Sequence, residues 1–157
     1  VEQRMRPEPI TLLKFALQQT FLTGTARGYS KKDIDKWNAG GKTGTSDDQR
    51  DSWFVGFAGD LLVLVWLGFD DNRPTVLTGR TGAFQVWKNF IDDINPVSTK
   101  KTKLQRIQYV WTDIDDGLLS GKSCKNSLLV PFIRGTEPIK VPNVRKKCFS
   151  KNPSNGE

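Results

Sequence analysis

One stretch gathers residue types that can do chemistry: Gly40-Gly41-Lys42-Thr43-Gly44-Thr45-Ser46. A cation and hydroxyls along a strand edge suit a small carboxylate, because the ammonium and the hydroxyls are all hydrogen-bond donors. Gly44 has no Cβ, so a ligand backbone can lie close against it. The same string invites a phosphate reading. A P-loop needs glycine five positions before its Gly-Lys-Thr/Ser. That position is Lys36 before Gly41-Lys42-Thr43 and Asp116 before Gly121-Lys122-Ser123. Neither candidate has a strand directly ahead and a helix directly behind, so both are set aside.

Composition limits what surrounds this stretch. The 157 residues allow one domain with a tail and a modest core. There is no histidine, which removes Ser-His-Asp catalysis, His-ligated zinc and the usual proton shuttle within the chain. Any catalysis must use Lys, Asp/Glu, hydroxyls or backbone amides. The longest apolar run, Leu61 to Phe69, is too short to span a bilayer. The opening Val1-Glu2-Gln3-Arg4 lacks an initiator Met, and the chain reads as a piece of a longer protein. The net charge of +7 is uneven: residues 1–95 carry 12 basic and 12 acidic side chains, residues 96–157 carry 12 and 5. That split places a boundary near Asn95-Pro96.

The elements that must position the central stretch follow from periodicity. Residues 1–9, with Pro7 and Pro9, read as an extended lead-in. A first helix is expected over about 10–22, with Leu13, Ala16, Leu17, Thr20 and Phe21 on one face and Gly24 as terminator. Residues 27–37 read as a charged loop. A short strand, about 38–46, carries the Lys-Thr-Gly-Thr string. A second strand, 51–58, alternates Trp53, Val55 and Phe57 against Ser52, Phe54 and Gly56. Gly59-Asp60 is a hairpin turn, and the apolar third strand, 61–69, fits one covered on both faces. A second helix over about 82–94 repeats Ala83, Val86, Trp87, Phe90, Ile91 and Ile94, the cleanest period in the sequence. Beyond Pro96 the chain reads as a Ser/Thr/Lys linker, one strand within 104–114 (Ile107, Tyr109, Trp111), and a mostly irregular tail with an apolar island at 128–133.

Together these residues resemble a known family. Lys42-Thr43-Gly44-Thr45 on a strand, the Asp-x-Trp-Phe-x-Gly hairpin (Asp51, Trp53, Phe54, Gly56), a second apolar strand, an amphipathic helix, and Gly24-Thr25-Ala26 closing the preceding helix are similar to the C-terminal part of the transpeptidase domain of bifunctional class A penicillin-binding proteins. Lys-Thr-Gly is the third motif of that superfamily. The likeness covers about 10–94. It continues more loosely through Asp115-Asp116-Gly117, Cys124 and the Pro131-Phe132-Ile133-x-Gly135-Thr136-x-Pro138 string.

The resemblance implies an α+β fold within a β-lactamase/transpeptidase-like domain: a three-stranded antiparallel sheet with two helices packed on it, and an irregular C-terminal tail. Residues 1–95 would be the C-terminal portion of the transpeptidase domain and 96–157 a basic, mostly extended C-terminal extension. The implied activity is a serine D,D-transpeptidase that cross-links peptidoglycan stem peptides through an acyl-enzyme and is a β-lactam target. The parent would also be a glycosyltransferase, on the periplasmic side of the inner membrane and anchored by an N-terminal segment. Lys42 would supply positive potential for the substrate carboxylate and assist proton movement. Thr43 and Thr45 would offer hydroxyls, Gly44 close approach, and the Thr45 backbone N–H half of the oxyanion hole. No cofactor or metal is implied.

The departures are large. No Ser-x-x-Lys or Ser-x-Asn motif precedes Lys-Thr-Gly. The literal matches, Ser98-Thr99-Lys100-Lys101 and Ser150-Lys151-Asn152, follow it in polar basic segments. The nucleophile is therefore expected on an upstream part of the same protein, and this chain alone is expected to be inactive. Expected partners are that upstream part, the stem peptide, β-lactams, and a second copy through self-association. Cys124 and Cys148, the only cysteines, fit one disulfide in an oxidising compartment, or two unpaired thiols otherwise. Plainer readings stand beside these: Lys42 as an edge-strand guard, Thr43 and Thr45 as ordinary β-formers, and Trp53, Trp66 and Trp87 as core. The rival function is a non-catalytic binding or structural module whose basic tail, through Lys100-Lys101 and Arg145-Lys146-Lys147, contacts an anionic polymer or surface. No nucleic-acid fold signature is present, so no specific nucleic acid is expected.

Overall fold

Two kinds of local instruction organise the chain: glycines that let a strand lie close to its neighbours, and aromatic residues spaced to meet behind it. The computed structural model describes residues 4–99 and 104–138. Its elements run α1 (Pro7–Leu22), α2 (Lys31–Trp37), β1 (Gly40–Thr45), a 3-10 turn (Asp47–Gln49), β2 (Ser52–Ala58), β3 (Leu61–Leu67), α3 (Ala83–Ile94), β4 (Ile107–Asp113) and β5 (Ser127–Ile133). Leu13–Thr102 forms one compact unit, and the described residues of Val1–Leu12 and Lys103–Glu157 form another. No described helix is long and apolar enough to cross a membrane.

The first unit is built on an antiparallel sheet in the order β1-β2-β3. The register pairs Lys42 with Val55, Gly44 with Trp53, Trp53 with Trp66 and Val55 with Leu64. Because side chains alternate along a strand, Lys42 and Gly44 share a face with Trp53, Val55, Leu64 and Trp66. Thr43 and Thr45 share the other with Ser52 and Phe54. Gly59, at φ +61, makes the β2–β3 turn, a conformation that glycine adopts without steric cost.

The second face carries the core. Phe21, Phe54, Phe84, Trp87 and Ile91 are all essentially inaccessible. The Phe54 ring lies 5.0 Å from those of Phe84 and Trp87. Phe21, at the end of α1, joins the same cluster 5.7 Å from Phe84. Gly41 makes this approach feasible: a Cβ there would stand 2.5 Å from Phe54 Cζ. Ser52 is fully buried yet satisfied; its hydroxyl donates to Thr78 O at 2.8 Å and accepts from Ala83 N–H at 2.9 Å. It thereby fastens the segment before α3 to the sheet and holds a free amide at the helix start.

Several expectations are corrected. α1 starts at Pro7, not after Pro9; proline is tolerated in a helix's first turn, where the amides have no helical acceptor. Its apolar stripe is buried only at Phe21, and Leu13 is exposed. The stretch read as a charged loop contains α2. Its signal is a capping box: Ser30 Oγ accepts from Asp33 N–H while Asp33 Oδ2 accepts from Ser30 N–H, and Ile34 and Trp37 are buried. The Ser30 hydroxyl holds the Asp33 carboxyl below its ordinary pKa. Tyr29, beneath α3, donates to Asp92 at 3.0 Å, and its burial and that carboxylate push its pKa up. β3 is covered on one face only: Leu62, Leu64 and Trp66 are exposed, as are Trp53 and Val55 on β2. On α3 the apolar stripe divides, with Trp87 and Ile91 buried and Val86, Phe90 and Ile94 exposed.

The other unit is not irregular throughout. The apolar island is β5, paired antiparallel with β4 so that Tyr109 faces Pro131 and Trp111 faces Leu129. Asp115-Asp116-Gly117 forms a turn with Gly117 at φ +72. Ser120 and Ser127 hydroxyls meet at 2.5 Å across the connection. Gly121-Lys122-Ser123 lies in this β4–β5 connection with no helix behind it.

Candidate active-site strand

β1 is an edge strand, so half of its backbone groups have no strand partner. Ser46 N–H donates to Asp51 O at 3.2 Å across the β1–β2 turn. Antiparallel pairing alternates hydrogen-bonded and non-hydrogen-bonded pairs. Counting back from Ser46, Gly44 and Lys42 point their N–H and C=O groups at β2, while Thr45, Thr43 and Gly41 point theirs outward. The outward Gly41 C=O accepts from Thr20 Oγ1 at 2.7 Å, so α1 covers the near end of the edge.

Each expected site residue has a defined place. Lys42 is exposed on the open face, and its Nζ donates to Thr43 O at 2.9 Å. No carboxylate pairs with it among the described residues. The Thr43 hydroxyl shares a 2.7 Å hydrogen bond with Thr25. Thr45 Oγ1 accepts from Gly79 N–H at 2.9 Å and keeps its own proton to give. A Cβ on Gly44 would meet Trp53 Cβ at 3.2 Å, so this glycine also answers to packing against β2. Lys42 to Thr45 thus lie together on one strand, with Thr25 and Gly79 beside them. Cys124 receives Gly121 N–H at 3.4 Å on its sulfur. Cys148, and with it the expected pair, lies outside the described residues, as does Ser150-Lys151-Asn152.

Neighbours of the strand had visible signals. Ser46 Oγ accepts from Asp51 N–H at 2.8 Å, so the hydroxyl closing the Lys-Thr-Gly-Thr-Ser run locks the turn after it. Asp51 Oδ1 accepts from Trp66 Nε1 at 2.9 Å and fixes an exposed indole pair with Trp53, ring centroids 6.0 Å apart. Trp53 and Trp66 are therefore not core in this chain, whereas Trp87 is. Gly79 lies against the strand, its Cβ position 2.6 Å from Gly44 O. Nothing within the β1 string points to Gly79, since that contact comes from 34 residues away.

No protein-family model matches the chain. Penicillin-binding protein 1B of Haemophilus influenzae is 48% identical over 81 residues, covering 52% of this chain and 10% of that protein. Penicillin-binding protein 1A of Aquifex aeolicus is 30% identical over 141 residues, covering 87% of this chain and 19% of that protein. The crystal structure of penicillin-binding protein 1A from Haemophilus influenzae superposes with a TM-score of 0.67 at 26% identity, covering 88% of this chain and 22% of that one. The chain is homologous to the transpeptidase region of class A penicillin-binding proteins. It spans about a tenth to a fifth of the length of those proteins. Its α+β architecture with antiparallel sheets matches a fragment of their transpeptidase domain.

Proposed function

We propose that this chain forms one wall of the active site of a serine D,D-transpeptidase that cross-links peptidoglycan stem peptides, with the nucleophile on an upstream part of the same protein. The observation that carries this reading is the free edge of β1. It joins outward amides at Thr43 and Thr45 to a cation, Lys42, that has no carboxylate partner among the described residues. A peptide laid along such an edge gains main-chain hydrogen bonds by strand addition.

The chemistry follows from these parts. Lys42 and the Thr45 hydroxyl attract the terminal carboxylate of the stem peptide, and the Thr43 hydroxyl, shared with Thr25, lines the same edge. Gly44 lets the peptide backbone approach. The serine attacks the carbonyl of the penultimate D-Ala, and the Thr45 N–H donates to the oxygen as negative charge develops. Loss of one such donor costs on the order of 10²–10³ in rate. The terminal D-Ala leaves, an acyl-enzyme remains, and an amine of a neighbouring strand takes the acyl group. β-Lactams acylate the same serine. The parent's glycosyltransferase activity, its N-terminal anchor and its periplasmic setting belong to this proposal. So do a division into residues 1–95 and 96–157, and a Cys124–Cys148 disulfide.

Intact mass after incubation with a fluorescent penicillin tests the reading, on this chain alone and with the upstream segment restored. The expected result is no adduct alone and one adduct in the restored protein, strongly slowed by Lys42→Ala. An adduct on the isolated chain would place a nucleophile here. No adduct in either would remove the enzymatic role.

A second reading is favoured by one feature of the other unit. Leu104, Gln105, Arg106, Ile107 and Arg134 line a concavity of about 530 Å3. Two arginines on one rim suit contact with an anionic polymer or surface, and such binding would weaken steeply with added salt.

A further inference from the structure

The cations around the turn end of β1 and β2 divide into two groups. Arg50 holds Asp48 Oδ2 at 3.2 Å and Asn72 O at 2.6 Å. Arg73 pairs with Asp71 at 3.6 Å and lies 3.9 Å from the centroid of the Phe69 ring. Lys42 and Arg80 have no carboxylate partner among the described residues. The first of these is already part of the proposed site; the second is not.

The backbone on both sides of Arg80 is held by hydrogen bonds, and so is its own C=O. Gly79, one residue before it, donates its N–H to Thr45 Oγ1 and sits so close to β1 that a Cβ would lie 2.9 Å from Thr43 Cβ. Thr78 and Thr81, which bracket the pair, exchange N–H to hydroxyl hydrogen bonds of 2.9 and 3.1 Å. Phe84 N–H donates to Gly79 O at 2.9 Å, and Gln85 Nε2 donates to Arg80 O at 2.9 Å. Gly79 packs over the seam of β1 and β2, against Gly44 O, Trp53 O and Thr43 Cβ, and Arg80 follows it by one Cα step of about 3.8 Å. Its side chain is exposed. A fixed backbone beneath the exposed guanidinium limits the ordering cost of taking a ligand to that of one side chain.

We propose that Arg80 is a specificity-determining residue of the β1 site, taking a second carboxylate of a peptide whose terminal carboxylate is held at Lys42 and Thr45. The proposal rests on the carboxylate-binding reading of β1. Guanidinium binds carboxylate through two parallel N–H···O bonds, a geometry that an ammonium does not offer. The ligand class is an acidic peptide, with a side-chain or α-carboxylate upstream of its last residue.

The test uses two N-acetyl peptides ending in D-Ala-D-Ala, alike except that one carries Glu where the other carries Gln. Binding to the 157-residue chain is followed by amide shifts in nitrogen-15 NMR, which also report whether each variant is folded. The chain is expected to prefer the Glu peptide by about tenfold, the size of one hydrogen-bonded charge pair. Arg80→Ala should erase that preference without changing affinity for the Gln peptide, and Arg80→Lys should restore part of it. Equal weakening of both peptides by Arg80→Ala, survival of the preference, or no binding of either peptide would overturn the proposal. Fluorescent-penicillin labelling of the restored protein separates the two claims. A Glu preference lost in Arg80→Ala, together with no penicillin adduct, would leave Arg80 as an acidic-peptide site and remove the transpeptidase reading.

Discussion

The two faces of the β1-β2-β3 sheet are made from the same strands and are similarly apolar, yet they end differently. On one face Phe54, Ser52 and Ala58 are fully buried beneath the aromatic cluster of α1 and α3. On the other, Leu62 is 75% exposed and Leu64 58%, with Trp53, Val55 and Trp66 beside them. Single exposed apolar residues are ordinary, but a contiguous patch marks an interaction surface. The difference teaches that burial in this chain divides its labour: one face makes the unit fold, and the other stays an exposed apolar patch. Lys42 and Gly44 lie on that face, so the patch adjoins the proposed site.

The comparison breaks most clearly at the buried face. Trp87 is inaccessible, touches Phe21, Phe54 and Phe84 ring to ring, and donates its indole N–H to Gly56 O at 3.3 Å. Trp87→Ala is expected to cost about 3–5 kcal/mol, the range for removing a large aromatic from a packed core. Urea unfolding monitored by circular dichroism measures it. A loss below 1 kcal/mol would mean that the aromatic cluster is not the unit's core.

Much of this division was legible in the residues themselves. The alternation of Ser52, Phe54 and Gly56 against Trp53, Val55 and Phe57 separated the faces of β2, because a strand's side-chain period is two. The period of α3 placed Trp87 and Ile91 correctly, but could not tell which edge of its apolar stripe would be left open at Val86, Phe90 and Ile94. β3 misled for the same reason. An unbroken apolar run says that both faces want cover, not that both have it within this chain. α2 was hidden by its charges, since five of its seven residues are Lys or Asp; the capping pair Ser30 and Asp33 was the stronger signal. At the site, the string Lys42 to Thr45 was legible as a motif. The outward direction of the Thr45 amide needed the register, and the seating of Gly79 and Arg80 needed the fold.

A smaller effect tests whether α2 depends on local capping rather than on the shared core. Ser30→Ala removes the hydroxyl that accepts from Asp33 N–H at 3.2 Å, and caps of this kind are worth about 1 kcal/mol. The sign of its pH dependence follows from Asp33. The Ser30 hydroxyl lowers the folded-state pKa of this carboxyl below 3.8. Its contribution is therefore present above the ordinary carboxylate value and is lost as pH falls through the lowered folded one. The difference in stability between the parent chain and Ser30→Ala should be full at pH 7 and shrink below about pH 4. A difference that is constant with pH would show that the Ser30–Asp33 pair does not act as a charge-assisted cap.

The smallest expected change in folding falls on the open face and sharpens the comparison most. Leu64 pairs with Val55 and is 58% exposed, so its side chain gains little from folding of this chain. Leu64→Ser is expected to leave unfolding free energy within about 0.5 kcal/mol, as for surface substitutions away from special features. The same change removes apolar area from the patch and should weaken self-association in sedimentation velocity, because association through such a face is driven by the area it buries. In a protein with the upstream segment restored, the substitution should lower stability by more than it does here, since the face would then be covered. Equal effects in the two backgrounds would mean that the upstream segment does not sit on this face, and that Lys42 and Gly44 meet their partner by way of the β1 edge alone.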